Sequence, residues 1–279
     1  MKCILCGKNE SKSVFRENGI DILKCENCGH IFSSYRQKDD YEDYYGERIV
    51  AEDHFWWKDA HEKMYEDFCE KFICGGRGKL LDVGCGLGYF VKKNSAYPDW
   101  EVFGYEVSGP AVEFAKNSLK LKNVFRGRVE DSSFPDNYFD VITLWDVIEH
   151  IPNPHLSLRY LNKILKRGGF IFMHTPNADV QLFKAKLKKI FQNVNPHAHY
   201  MEAKDHVNIY TPKTIKVLLA KNNFKKIKFI HLKPIQSVSG SKNIFLKLLK
   251  NFWFYISKII FFTSAHKVNV DNLFVIAEK

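Results

Sequence analysis

The sequence predicts an α/β fold, a doubly wound and mostly parallel sheet, with a small cysteine-stapled module at its N-terminus. Three observations lead there. Strand-like and helix-like patterns alternate from Lys79 to Asn223, the arrangement that covers a parallel sheet with helices on both faces. A glycine-rich turn, LLDVGCGLGYF from Leu80 to Phe90, joins an apolar strand to a helix. Four cysteines stand as two C-x-x-C pairs near the N-terminus.

The length of 279 residues and the 45% hydrophobic content suit one large domain with a small appendage. The net charge of +10 attracts nucleic acid, anionic lipid or a phosphorylated substrate, or else marks a lysine-rich solvated surface. The opening MKCILCGKNE lacks the apolar core of a secretory signal, which sets the expectation of a cytoplasmic protein. Seven cysteines fit that expectation, because in a reducing compartment paired cysteines hold metal more often than they form disulfides.

Cys3 and Cys6 precede Gly7, and Cys25 and Cys28 precede Gly29, so two matching knuckles stand 18 residues apart. Each knuckle turns two thiolates the same way, and four thiolates make a tetrahedral cage suited to Zn²⁺. A closed four-cysteine site has no open coordination position, so residues 1–40 are expected to be a structural zinc ribbon. A nucleic-acid-reading ribbon is the alternative, and Glu10, Glu17 and Asp21 interleaved with Lys12, Arg16 and Lys24 weigh against it.

Residues 41–78 read as an acidic, aromatic linker and a helix. From His54 onward, Phe55, Met64, Tyr65 and Phe68 recur at roughly helical spacing. Tyr41, Tyr44 and Tyr45 are expected near a ligand mouth, or else in packing between domains.

Lys79–Val83 reads as a buried strand and Tyr89–Asn94 as the first turns of a helix, so the glycines occupy a strand-to-helix turn. Such a turn aims helix N-terminal amides at a ligand, and missing Cβ atoms let that ligand approach. The spacing Gly84, Gly86, Gly88 is not that of a dinucleotide site, and the Gly-Lys-Ser/Thr ending of a P-loop is absent. The next strand ends in Glu106, where a carboxylate can accept both hydroxyls of a ribose. Glu130 and Asp131 follow a short strand, within reach of an adenine amino group. A fourth apolar strand, Val141 to Leu144, leads to Trp145 and Asp146.

Taken together, the run Leu81 to Gly88, Glu106, Glu130-Asp131, Phe139 to Ile142 and Asp146-Val147-Ile148-Glu149-His150 resembles the class I S-adenosylmethionine-dependent methyltransferases. LNKILKRGGFIFMHTPN is similar to that family's helix, double-glycine turn and fifth strand. The resemblance is closest from Lys79 to Asn177 and implies a seven-stranded, Rossmann-like sheet over residues 79–279, closed by an antiparallel edge pair at Lys226–Leu232 and Asn272–Ala277. It also implies a site for S-adenosylmethionine drawn from Asp82, Gly84, Cys85, Gly86, Gly88, Glu106, Val107, Glu130, Asp131, Trp145 and Asp146. In that reading the glycines pass the methionyl part, Glu106 holds the ribose, and Asp131 with its neighbours holds the adenine.

Methyl transfer is an in-line displacement, so the protein aligns the reactants, excludes water and, for an oxygen or carbon acceptor, supplies a base. His150 is the preferred candidate, because the run after the fourth strand lines the acceptor pocket in the relatives; an orienting role for it stays open. His206 is the second candidate, and His174 and Asn177 are placed nearby by position. His197, His199 and His206 match no standard metal spacing.

Two insertions, at about 178–205 and 240–267, interrupt the core. The first, with Phe183, Phe191, His197, His199, Tyr200 and Met201, is expected to cover the acceptor; its Lys184, Lys186, Lys188 and Lys189 suit a phosphate-bearing acceptor or a solvated helix face. The second places Asn243, Lys247, Lys250, Asn251, Ser257 and Lys258 on one helical arc. It is expected to pack against the sheet edge or a second subunit, with peripheral membrane contact through 243–262 as the alternative. The expected acceptor is a sugar, nucleotide-sugar or lipid-linked intermediate. An RNA or protein methyltransferase using the basic surface is the second reading, and DVIEH, which differs from the Asp/Asn-Pro-Pro-aromatic motif of amino-group nucleic-acid methylation, weighs against it. A noncatalytic zinc-ribbon scaffold is the third.

Overall fold

The computed structural model describes residues 1–35, 49–191, 200–235 and 244–279. Tyr41, Tyr44, Tyr45, His197, His199 and Asn243 lie outside the described residues, as do the side chains of Phe191, Lys247, Lys250 and Asn251.

In chain order the elements are β1 (Ser11–Glu17), β2 (Ile20–Cys25), β3 (Ile31–Ser33), α1 (Ala51–His54), α2 (Glu62–Phe72), β4 (Gly78–Val83) and α3 (Tyr89–Asn94). There follow β5 (Trp100–Glu106), α4 (Gly109–Asn117), β6 (Val124–Arg126), β7 (Phe139–Trp145), α5 (Pro154–Ile164) and β8 (Leu165–Thr175). The chain closes with α6 (Ala178–Phe191), β9 (Asn208–Ile209), α7 (Pro212–Lys221), β10 (Lys225–Ile230), α8 (Ile244–Thr263) and β11 (Leu273–Glu278).

Seven strands form the main sheet in the order β10-β11-β8-β7-β4-β5-β6. The five from β6 to β8 are parallel, and β11 runs antiparallel to both β8 and β10. The expected mostly parallel sheet with an antiparallel pair at one edge is therefore the observed one. Successive residues of a strand point to opposite faces. Leu80, Val141 and Phe172 accordingly join Met64, Tyr65, Phe68 and Phe90 on one face. Leu81, Ile142, Ile171 and Met173 join Leu158, Leu161, Ile215 and Leu218 on the other. Leu80 and Leu81 are both fully buried, and each such side chain stabilises the fold by about 1.5–3 kcal/mol.

Two local expectations need correction. The helix read from His54 is broken by a π-helical turn at Phe55–Ala60. The changed turn rotates Phe55 out to 39% exposure, while His61, Met64, Tyr65 and Phe68 face the sheet. The double glycine is not a separate turn after α5. It lies inside β8, where Phe139 pairs Leu165 and Val141 pairs Phe170, so the extra residues around Gly168 (φ 80°) bulge out of the ladder. Pro154 opens α5 without a side-chain cap, and Thr211 and Thr214 form a capping box at α7.

The N-terminal strands make a second sheet in the order β1-β2-β3-β9, so its fourth strand comes from residues 208–209. Cys3, Leu5, Cys25 and Phe32 pack into the same buried cluster as the main sheet. His155 and Lys221 fasten this segment further, through the Ile4 and Leu5 carbonyls.

Candidate active site

The chain leaves β4 toward β5 on one side, while β7 pairs with the other edge of β4, so the carboxyl ends of these strands open a crevice. A cavity of about 500 Å³ occupies it, a size suited to a small-molecule ligand. Gly84, Gly86, Glu106, Val107, Glu130, Trp145, Asp146, His150 and His206 all line it.

Glu106 closes β5 and is buried. Its two oxygens accept from the Gly86 and Ser108 amides at 2.8 and 2.9 Å. Burial pushes its carboxyl up, against the lowering by those amides. Each carboxylate oxygen can accept a second donor, so room remains for two hydroxyls. Gly86 turns the loop at φ 51°, a conformation that favours glycine. The missing side chain at Gly84 serves packing, since a Cβ there would lie 2.5 Å from Val147.

Four residues in the expected cofactor set are not brought to the cavity wall. Asp82 is buried beneath the loop, 2.7 Å from the Thr143 hydroxyl, and desolvation raises it to about 8. Cys85 fills the space beside Gly104. Gly88 abuts Leu121 and Ala115. Asp131 points to solvent from a 3-10 turn at Val129–Asp131; Glu130 takes the cavity position there and accepts from Ser157 at 3.2 Å.

Asp146 follows β7 with φ 52°, a left-handed conformation that costs a non-glycine residue about 1–3 kcal/mol. Its amide donates to the His174 carbonyl at 3.1 Å. Its carboxylate lies 2.9 Å from His174 Nδ1 and 3.4 Å from His61 Nε2. Burial pushes this carboxyl up, but His174 and His61 outweigh it and hold the group well below the usual range. Burial likewise lowers His174, and Asp146 overcomes it to raise the imidazole. His174 is fully buried, with Nε2 3.1 Å from Asn272 Nδ2, so it supports the wall from behind. Asn177 caps α6 and donates to Asn269.

The opposite wall carries His150 and His206, whose rings lie 4.9 Å apart. His150 Nδ1 sits 3.1 Å from the Asp205 carbonyl, a contact only an N–H can make, which leaves Nε2 with the lone pair. Burial and the neighbouring His206 charge lower His150 to about 4. Burial also lowers His206, but Glu202, 3.1 Å from Nε2, together with Glu149 and Asp146 sets it at about 9. Behind both histidines, Glu149 is 1% exposed, neither of its oxygens has a hydrogen-bond partner, and burial raises it to about 7. Ligand atoms of Glu149, His150 and His206 lie within 4.8 Å of one another.

Several lining residues were missed from sequence. Trp56 and Trp57 come from the π-turn, Gln181 from α6, Glu202 from the following loop and Asn272 from the chain before β11. His61 carried no signal, because its partner Asp146 is 85 residues away.

In the N-terminal segment the sulfur atoms of Cys3, Cys6, Cys25 and Cys28 lie within 4.8 Å of one another, with Cys3–Cys28 and Cys6–Cys25 at 3.5 Å. That donor set and closeness fit a tetrahedral thiophilic ion such as zinc.

A methyltransferase domain family profile matches residues 56–228, more than half of the chain. The ubiquinone biosynthesis O-methyltransferase of Chromobacterium violaceum is 28% identical over 153 residues, which cover 47% of this chain and 61% of that protein. The chain spans about half to three fifths of the length of the curated relatives it matches. Among solved structures, a protein of Pyrococcus horikoshii OT3 superposes with TM-score 0.57 at 16% identity, covering 86% of this chain and 99% of that one. Phosphoethanolamine N-methyltransferase 2 of Haemonchus contortus, in complex with S-adenosyl-L-methionine, gives TM-score 0.55 at 15% identity over 89% and 62%. At these identities the structures speak for the fold alone. The chain belongs to the methyltransferase domain family, and its seven-stranded sheet has the Rossmann-like class I fold that its motifs resemble.

Proposed function

We propose that the protein transfers a methyl group from S-adenosylmethionine to a small-molecule acceptor, a sugar, nucleotide-sugar or lipid-linked intermediate. One observation carries this reading: a single cavity has the Glu106 carboxylate and the glycine loop on one wall and His150 with His206 on the other. Such a cavity seats donor and acceptor face to face.

When bound, S-adenosylmethionine supplies an electrophilic methyl on a sulfonium centre. Glu106 holds the ribose hydroxyls with the lone pairs its two amide donors leave open. Gly84 and Gly86 pass the methionyl chain, and Glu130, with Val107 beside it, meets the adenine. Trp145 and Asp146 form the floor, and the strained Asp146 is kept in place by His174 and His61. Trp56 and Trp57 help to exclude water. His150, neutral at physiological pH, takes the acceptor proton at Nε2. His206, cationic, draws an acceptor that carries negative charge; burial is the larger cause of the low His150 value and the His206 charge the second, and the acceptor's charge would offset that second part, making His150 a better base.

The same reading divides the chain into a ribbon (1–40) holding zinc through Cys3, Cys6, Cys25 and Cys28, a linker with helix (41–78) and a catalytic domain (79–279). Peripheral contact with a membrane through 243–262 belongs to it too; no described helix is long and apolar enough to cross one. The cluster of four unpaired thiols suits the cytoplasm. Incubation with methyl-labelled donor and fractionated small metabolites and lipid extracts tests the reading. Label is expected in one acceptor fraction and to vanish with His150→Ala; label only in added RNA or protein would contradict it.

A further inference from the structure

Two helices on the cavity side of the sheet turn their apolar faces outward. In α6, Ala178 and Ala185 face the protein, while Phe183, Leu187 and Ile190, spaced as i, i+4 and i+7, are 64%, 37% and 73% exposed. In α8, Ser257 and Phe261 face inward, with Ser257 3.2 Å from His231 Nε2. Phe252, Tyr255, Ile259 and Phe262, spaced as i, i+3, i+7 and i+10, are 64%, 61%, 61% and 54% exposed. Ser257, expected on one helical arc with Lys258, is buried, while Lys258 is exposed. A surface helix ordinarily buries its apolar stripe, so two helices that expose one mark an interaction surface.

Both stripes belong to the face that carries the cavity mouth. α6 springs from the carboxyl end of β8. α8 lies between the carboxyl end of β10 and the start of β11, where Leu273 pairs with Thr175 at that same end of β8. Gln181 of α6, and Ile235 and Asn272 on either side of α8, line the cavity. The Asn177 side chain donates to the Asn269 carbonyl at 3.0 Å and ties the two connections together.

Charge identifies the occupant. Lys188 and Lys189 fold back over the Tyr200 and Phe15 rings, which leaves the exposed Lys184 and Lys186 to flank the α6 stripe on its two sides. Lys258 flanks the α8 stripe, and the exposed Lys267 follows the helix. Apolar ridges edged by lysines match a layer that is apolar inside and anionic at its surface, where lysine stems lie along the apolar region and their ammonium groups reach the phosphates. A second copy of this chain, itself at +10, would set lysine against lysine.

We propose that α6 and α8 dock the cavity face on an anionic lipid bilayer, so that the acceptor is a lipid-anchored molecule entering the mouth from that surface. The statement about the acceptor rests on the methyl-transfer reading above; the docking surface does not. The full chain should co-sediment with vesicles of phosphatidylcholine containing phosphatidylglycerol and bind vesicles of phosphatidylcholine alone at least tenfold more weakly. The pairs Phe183→Ser with Ile190→Ser, and Tyr255→Ser with Ile259→Ser, should each lower binding tenfold or more, while donor affinity measured in the same preparations stays unchanged and shows that the fold is intact. A wild-type chain that stays in the supernatant would overturn the proposal. So would pairs that bind as wild type, or a concentration-dependent dimer in light scattering that the same pairs dissolve. A chain that sediments with vesicles yet takes no donor would sink the methyl-transfer reading and leave the docking surface standing.

Discussion

Glu17, at the end of a ribbon strand, holds Met201, the neighbour of the cavity-lining Glu202: its Oε2 accepts from the Met201 amide at 2.7 Å and from the Tyr200 amide at 2.6 Å, and its Oε1 accepts from Ala203 at 3.1 Å. The carboxylate is 5% exposed. The backbone it grips carries Glu202, Asp205 and His206 to the cavity wall. Two more contacts reinforce the grip, His30 to Asn208 at 3.1 Å and the pairing of β3 with β9. The ribbon thereby supports the acceptor wall.

Glu17→Ala leaves three amides without their acceptor. A stability loss of about 2–4 kcal/mol is expected in urea unfolding, since buried donors left unpaired cost about 1–3 kcal/mol each and partial hydration recovers some of it. Hydrogen exchange at Tyr200, Met201 and Ala203 should accelerate while the main sheet stays protected.

The four cysteines should bring about one zinc per chain into protein purified without chelators. Cys25→Ser, or prolonged chelation, should lower the melting temperature and loosen residues 200–209 through the same contacts. Elemental analysis that finds no zinc would remove the structural ion from the picture.

Gly84→Ala should destabilise the fold, because the new methyl meets Val147 and the backbone there has φ 67°. Adding Val147→Ala should recover part of the loss, leaving the backbone strain, about 1 kcal/mol. Thermal unfolding of the two variants reads this directly; no recovery in the double variant would mean that Gly84 is bare for another reason.

His206 links stability to pH. Its folded value of about 9 lies above the ordinary imidazole value of about 6.5, so the protonated form favours the folded state. That contribution is fully present below about 6.5, declines as pH rises, and is gone above about 9. The wild-type melting temperature should therefore fall across this window more steeply than that of His206→Gln, and parallel curves would contradict the assignment. Glu202 is half exposed, so salt should weaken the effect.

The main sheet was legible because its signals are local. Apolar runs such as those of β4 and β7, alternating with helix-like segments, marked the strands, and the glycines with Glu106 marked the crevice end. What escaped depended on contacts distant in sequence or on departures from regular geometry. Asp82, Cys85, Gly88 and Asp131 carry the motif, yet Asp82 faces Thr143 inside the sheet, Cys85 packs beside Gly104, Gly88 abuts Leu121 and Ala115, and a 3-10 turn exchanges Asp131 for Glu130. The π-turn that delivers Trp56 and Trp57 has no sequence periodicity of its own. The link from Glu17 to Tyr200, Met201 and Ala203 spans more than 180 residues, and nothing in Glu17's neighbourhood announces it.

The most direct measurement is a calorimetric titration of S-adenosylmethionine into the wild-type chain and into Glu106→Ala. Removing a carboxylate that holds two hydroxyls should weaken binding about 100-fold, corresponding to two charged hydrogen bonds at about 1.5 kcal/mol each. Equal affinity in the two proteins, or no binding by the wild type, would contradict the placement of the donor between the glycine loop and Glu106.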